Sequence, residues 1–287
     1  MNIPSSFVEP VAECLAIVGV GLIGGSLAAA VRQRGLARQI IGVGRDPERL
    51  EPARARGLID ACTADLTAAA READLIVFCT PPDRIAAGVR AAAGACRRGT
   101  LITDAGSTKQ LICAAAATGL PAGVDFVGSH PLAGSEKQGF DHADANLFEG
   151  RLCVVTPVET TPRPALDRTI AFWQRVGMRV IEMSPGDHDA AVAETSHLPH
   201  LVASALAATL SESRRDLAAS GFRDTTRIAA GDPQLWTTIL LQNAEAVLQS
   251  LERFSTGVAN FREALQARDV DALHRLLEAG KQQRDRL

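Results

Sequence analysis

Tyrosine is absent from this 287-residue chain, and aromatic residues of any kind make up only 4% of it. That absence removes the Tyr-x-x-x-Lys acid–base pair on which short-chain dehydrogenases depend. An excess of one charge is also missing. Thirty basic against 33 acidic side chains leave a net −3 with no basic run, so the composition offers no footprint for nucleic acid. No apolar stretch reaches membrane-spanning length, and residues 1–13 are too polar for the apolar core of a secretory leader. The six cysteines (Cys14, Cys62, Cys79, Cys96, Cys113 and Cys153) are scattered without a C-x-x-C pair. They read as reduced, buried thiols of a cytoplasmic protein. No Cys/His zinc cluster is present, and no metal is expected.

What is present is an ordinary globular composition, 46% hydrophobic and 22% charged, and one informative junction. Leu15-Ala16-Ile17-Val18 runs straight into Gly19-Val20-Gly21-Leu22-Ile23-Gly24, and Ser26–Val31 then reads as helix. An apolar strand, Gly-x-Gly-x-x-Gly and a helix together form the entry to a dinucleotide-binding βαβ unit. Gly19 allows the tight turn, Gly21 lets the backbone approach a pyrophosphate, and Gly24 lets helix and strand pack closely. The helix N-terminus at Leu22-Ile23 offers free N–H groups to phosphate.

NAD-binding units place a carboxylate about 20 residues further on, at the tip of the second strand, for the ribose 2′-OH. Here the strand Gln39–Val43 ends in Gly44-Arg45. Glycine leaves room for a 2′-phosphate and the guanidinium can pair with it, which predicts NADP, with NAD possible. A one-residue change of register would make Asp46 the ribose ligand, although Asp46-Pro47 also suits a helix N-cap with proline following.

Apolar runs at 15–18, 40–43, 75–79, 100–103, 125–128, 152–155 and 179–182 alternate with helical stretches, including 47–56, 84–95, 109–117 and 165–175. The alternation predicts a Rossmann-type, doubly wound parallel sheet, with Thr80-Pro81 leaving the third strand at the cofactor crevice. After Ser184-Pro185 the pattern is helical only. Leu240, Ala244, Val247, Leu251, Phe254, Val258, Phe261 and Leu265 form a seam for another helix, either of a partner subunit or of the same chain. The expected organisation is a tail over 1–12, a dinucleotide-binding domain over 13–185 and a helical domain over 186–287, hence α/β followed by all-α.

Two polar clusters directly follow strands, Asp104-Ala105-Gly106-Ser107-Thr108-Lys109 and Gly128-Ser129-His130-Pro131-Leu132-Ala133-Gly134-Ser135-Glu136. His130 can take a proton from a substrate hydroxyl as its carbon loses hydride. Ser107 either holds that imidazole, contacts the nicotinamide or caps the next helix. A third cluster opens the helical region: Ser196-His197-Leu198-Pro199-His200, then Phe222-Arg223-Asp224-Thr225-Thr226-Arg227. Pro199 and the lack of a third ligand disfavour metal. Anion capture suits these residues better, with Arg227 as a planar fork for a carboxylate.

Taken in order over residues 15–240, these stretches resemble the prephenate/arogenate dehydrogenase family of tyrosine biosynthesis, in a single-function form without ACT or chorismate mutase domain. The resemblance implies an NAD(P)-dependent oxidative decarboxylation. In it His130 takes up the hydroxyl proton and Ser107 orients it. Arg227 would anchor a substrate carboxylate, with His200, His197 and Ser135 in the substrate site. It also implies a homodimer formed through the helical domain, and tyrosine inhibition, if any, by competition at the active site. Gly44-Arg45 departs from the acidic tip of NAD-using members, which leans the expectation to arogenate with NADP. Prephenate with NAD is the alternative. β-Hydroxyacid dehydrogenases are a remoter one, but they need a catalytic lysine on a helix of the second domain, and Lys109, Lys137 and Lys281 do not supply it. A non-catalytic nucleotide-sensing module would leave His130 and Arg227 without purpose.

Overall fold

The computed structural model describes residues 10–134, 137 and 139–287. Residues 1–9 of the expected tail over 1–12 and the expected substrate contact Ser135 lie outside the described residues, and Ala12 already begins the first strand. No helix among the described residues is long and apolar enough to cross a membrane.

Among the described residues, eight strands form one sheet: β1 (Ala12–Val18), β2 (Ala37–Val43), β3 (Ala61–Thr63), β4 (Leu75–Phe78), β5 (Leu101–Asp104), β6 (Asp125–Pro131), β7 (Leu152–Thr156) and β8 (Arg179–Glu182), in the order β3-β2-β1-β4-β5-β6-β7-β8. The α-helices described in this part are α1 (Leu22–Arg34), α2 (Glu51–Ala55), α3 (Leu66–Glu72), α4 (Pro82–Ala93), α5 (Gln110–Ala116) and α6 (Arg163–Val176). Period-two alternation sends Leu15 and Ile17 of β1 to one face, packed with Leu27, Val31, Phe172 and Trp173 of α1 and α6. It sends Cys14, Ala16 and Val18 to the other, against Ala69, Ile85, Val89 and Ile112 of α3, α4 and α5. Both faces are covered, and strands buried on both sides read as continuous apolar runs.

Two strand features depart from the sequence expectation. β3 is only Ala61-Cys62-Thr63, half-buried, and its pairing with Ile41–Val43 rather than its own apolarity makes it a strand. The sheet is parallel from β3 through β6, but β7 runs antiparallel to β6, with His130 opposite Val154, and β8 runs parallel to β7. The long connection from 132 to 151 returns beside β6 instead of crossing over, so the last two strands are reversed.

The helical part comprises α7 (Pro185–Val192), α8 (Leu198–Ala208), α9 (Ser220–Thr226), α10 (Pro233–Gln242), α11 (Ala244–Ala267) and α12 (Val270–Arg284). A π-helical turn, Ala193–His197, joins α7 to α8, with the Leu198 N–H reaching back five residues to the Ala193 carbonyl. Pro199 explains the widening, since its ring lacks an N–H and clashes with the carbonyl four residues back.

The expected seam is not one helix. Asn243 breaks it between α10 and α11. Its first part faces the chain's own core, with Val247 buried, while Phe254, Val258 and Leu265 are exposed, as are Leu241 and Leu248 at 71% and 63%.

Candidate active site

The C-terminal ends of β1, β4, β5 and β6 share one edge of the sheet, and the sequence clusters meet there. Strand order reverses between β1 and β4, the switch point at which open α/β sheets bind ligands.

At Gly19, φ is +95° and a Cβ would stand 2.9 Å from the Cys79 carbonyl oxygen, so only glycine makes this turn. A Cβ on Gly24 would come within 2.2 Å of the Gly19 carbonyl oxygen, as close helix–strand packing requires. Gly21 faces open space. Leu22, Ile23 and Gly24 form the first turn of α1, which has no side-chain cap and no acidic residue, so its positive end is uncompensated.

A cavity of about 550 Å³ lies over this turn, lined by Gly19, Gly21, Gly44, Arg45, Thr80 and Pro81 from the sheet part. Asp232, Gln234, Leu235 and Thr238 of the helical part complete its wall. Thr80 Oγ1 is buried there without a hydrogen-bond partner among the described residues. Open Gly21, the uncapped helix end and this orphaned hydroxyl all fit a dinucleotide. Asp46 is turned to its own backbone: its carboxylate accepts from Glu48 N at 3.2 Å and pairs with Arg49 at 3.2 Å.

His130, at the end of β6, stands outside that cavity, over a buried polar layer. Asp104 Oδ1 accepts from Ser129 N at 3.0 Å; Oδ2 accepts from Gly106 N at 2.9 Å and pairs with fully buried Lys109. Ser129 Oγ in turn accepts from Trp173 Nε1 at 2.8 Å. Carboxylate, lysine and indole together fix the strand end that carries the imidazole.

His130 Nδ1 lies 2.8 Å from His188 Nε2, and His188 Nδ1 lies 2.7 Å from Asp189 Oδ1. Asp189 also accepts from Lys109 N at 2.7 Å and Gln110 N at 2.9 Å, which ties α7 to the start of α5. His188 and Asp189 were not anticipated. Their signal was slight: a histidine between two aspartates at 187–189, whose place beside β6 no spacing rule reveals. Ser107 is half-buried, and no hydrogen bond joins it to His130 among the described residues. The neighbouring Thr108 donates to Gln242 Oε1 at 2.8 Å, linking this loop to α10.

The other expected substrate residues diverge. His200 stacks on Trp236, with rings 3.6 Å apart and 9° from parallel, and its Nδ1 is buried without a partner. Gly231 admits this stack, since a Cβ there would lie 2.5 Å from Trp236 Nε1. Arg227 is exposed and opens a 3₁₀ turn, Arg227–Ala230, that packs on α8. His197 departs from the expectation of an anion contact. It is 1% exposed, its Nδ1 is 3.1 Å from Asn243 Nδ2, and it packs edge-on against Trp236. His197 and His200 thus both pack on Trp236, one edge-on and the other stacked.

Burial sets the protonation of these rings. It pushes the His130 imidazole well below its ordinary value, with His188, Lys109 and His197 acting the same way. His197 is lowered to about 4, chiefly by burial, and burial lowers His188 and His200 too. All four are neutral at pH 7 and gain protons more readily when unfolded. Their contribution to stability is therefore complete above about pH 6.5 and is lost as pH falls toward the folded values. Melting temperature should be level above pH 7 and fall steadily from pH 6.5 to about 4. A melting temperature unchanged down to pH 4.5 would contradict neutral burial.

A dinucleotide cradle at the switch point, with an imidazole beyond it and a helical part completing the wall, defines an NAD(P)-dependent dehydrogenase. Comparison gives the family. The model of the prephenate dehydrogenase nucleotide-binding domain matches residues 27–182, and that of the prephenate dehydrogenase dimerization domain matches 184–279. A cyclohexadienyl dehydrogenase of Zymomonas mobilis is 36% identical over 90% of this chain and 90% of its own length. The structure of the A. aeolicus prephenate dehydrogenase in complex with hydroxyphenyl propionate and NAD+ superposes with a TM-score of 0.87 at 32% identity, covering 96% of this chain and 98% of that one. The Synechocystis arogenate dehydrogenase gives 0.80 at 34% identity, covering 95% and 99%. The chain belongs to the prephenate dehydrogenase family.

Proposed function

We propose that this dehydrogenase oxidatively decarboxylates arogenate with NADP, giving tyrosine. The observation that carries the chemistry is His130: neutral, at the strand edge beyond the cradle, with Nε2 making no hydrogen bond among the described residues. Its Nε2 takes the proton of the substrate's ring hydroxyl as the carbon bearing it loses hydride. When CO2 leaves the opposite ring carbon, the proton returns to the phenolate oxygen, so the protein ends as it began. The bound dinucleotide supplies the hydride acceptor. Ser107 stands in the neighbouring loop to contact substrate or nicotinamide. Arg227, on the turn packed against α8, anchors a substrate carboxylate. Holding the ring against the nicotinamide in this way supplies roughly 7–11 kcal/mol of the barrier reduction at its best.

NADP is favoured by Gly44 and Arg45 at the cavity wall and by the engagement of Asp46 with its own turn. Arogenate rests on likeness to the Synechocystis enzyme. Prephenate with NAD is the second reading, favoured by the A. aeolicus complex. Tyrosine is the product of the arogenate reaction and would compete for the same anchors. Two copies are proposed to pair through the helical part, covering Leu241, Leu248, Phe254 and Leu265.

The test is reduced-nicotinamide absorbance across the four pairings of arogenate or prephenate with NADP or NAD. Turnover with arogenate and NADP is the expected result. A signal only with prephenate or NAD would overturn the corresponding choice, and silence in all four would overturn the function. Arg45→Ala should raise KM for NADP about 10–100-fold and leave that for NAD within about threefold, since the lost pairing is to phosphate alone.

A further inference from the structure

We infer that His188 is a positioning residue for His130: held by Asp189, it offers an unprotonated Nε2 to the Nδ1–H of His130 and thereby fixes Nε2 of His130 as the base. The inference rests on the reading of His130 as the proton acceptor and adds a residue that acts through it.

The assignment follows from counting donors and acceptors. The Asp189 carboxylate accepts from two backbone N–H groups, Lys109 and Gln110, and has no proton to give to His188. The third partner at 2.7 Å, His188 Nδ1, must therefore be a donor. A neutral imidazole protonated at Nδ1 carries a lone pair at Nε2, and that lone pair lies 2.8 Å from His130 Nδ1. His130 in turn must be protonated at Nδ1 and basic at Nε2. A carboxylate two residues removed from the chemistry thus sets the tautomer of the base by way of a second ring.

The surroundings keep this order. His188 is fully buried, and the groups facing the pair are Lys109 and Asp104 from the β5–α5 loop, Asp189 on α7, and His197 on the π turn. Lys109 is paired with Asp104, and His197 is neutral with its Nδ1 against the Asn243 amide. None of them competes for His188 Nε2. Asn243 also donates to the Asp189 carbonyl at 2.7 Å, pinning α7 from the helical side. The arrangement serves a second purpose during turnover. Once His130 has taken a proton, its Nδ1–H still points at a neutral acceptor, so the existing hydrogen bond becomes charge-assisted and stronger.

Two measurements on the full chain test this. In the unsubstituted protein with 15N-labelled histidine, imidazole spectra at pH 7.5 should place the proton of both His130 and His188 on Nδ1. A proton on Nε2 of His130 would overturn the inference without recourse to any variant. In kinetics, His188→Leu should lower kcat about 100-fold, with KM for substrate and dinucleotide within about threefold, since the missing acceptor affects the base and not the binding contacts. Because His188 is neutral, the leucine removes a hydrogen-bond acceptor for the imidazolium and not a repelling charge, so the acid limb of the kcat profile should move to lower pH. His188→Gln, whose amide oxygen can replace Nε2 as acceptor, should stay within about tenfold of the parent. Equal losses in both variants with an unmoved acid limb would reduce His188 to a packing residue, and unaltered kcat in His188→Leu would refute its involvement. His130→Asn separates the two layers: if that variant still turns over, the reading of the base fails, whereas an inactive His130→Asn beside an unaffected His188→Leu fails the positioning role alone.

Discussion

Replacing His130 with asparagine should lower kcat by about 10²–10⁴-fold, the range a positioned general base supplies. Asparagine keeps a donor toward His188 Nε2 and removes only the basic nitrogen, so the strand end and its polar layer stay in place. His130 does not line the dinucleotide cavity, and the Kd for NADP, read by fluorescence titration, should change less than about threefold. A variant that loses turnover and dinucleotide binding together would mean that the site had been disordered. In the parent, the acid limb of the kcat profile should lie below pH 6.5, because burial keeps the ring deprotonated down to lower pH. A limb above 7 would assign the titration to another group.

The second large effect concerns stability. Lys109→Met should destabilise the fold by about 3–5 kcal/mol, because it strands the Asp104 carboxylate in a fully buried position. For a chain of this size that corresponds to a fall of roughly 10 °C in melting temperature. The remaining donors to Asp104, Gly106 N and Ser129 N, are dipoles and do not replace the ammonium. Adding Asp104→Asn should recover part of the loss, since an amide costs far less to bury than an unpaired charge. A single variant melting within 2 °C of the parent would show that the pair contributes little. The pair matters to function through the loop it holds: Ser107 lies between its members, and Lys109 N is one of the donors that anchor Asp189.

Distance along the chain separates the features legible in the sequence from those that were not. The glycine turn, its strand and its helix were legible because each residue's task is set by neighbours within a dozen positions. Gly19 and Gly24 carry out in three dimensions the tasks their spacing implied. His130 was legible for the same reason, as a polar residue directly after an apolar strand. β3 was not, because three half-buried residues carry no periodic signal and become a strand only when β2 is beside them. The reversal of β7 was hidden too, since strand direction is decided by the path of the connection between 132 and 151, not by the composition of either strand. His197 and His200 share one motif and both meet Trp236, but His200 stacks on the indole while His197, on the π turn before Pro199, meets it edge-on and lies against the Asn243 amide, a difference no spacing reveals.

By itself, then, the sequence determined the class of fold and the glycine turn, and it singled out His130 at a strand end, all from local pattern: apolar period, glycine spacing and the strand end. The packing of distant elements set what surrounds that histidine. His188 and Asp189 lie 58 and 59 positions from His130 in the chain and reach it because α7 docks where β6 ends and α5 begins. The wall that Asp232–Thr238 adds to the cavity depends likewise on how the helical part folds back on the sheet. Tautomer, protonation and burial are properties of contact, and contacts between residues distant in sequence are fixed by packing alone.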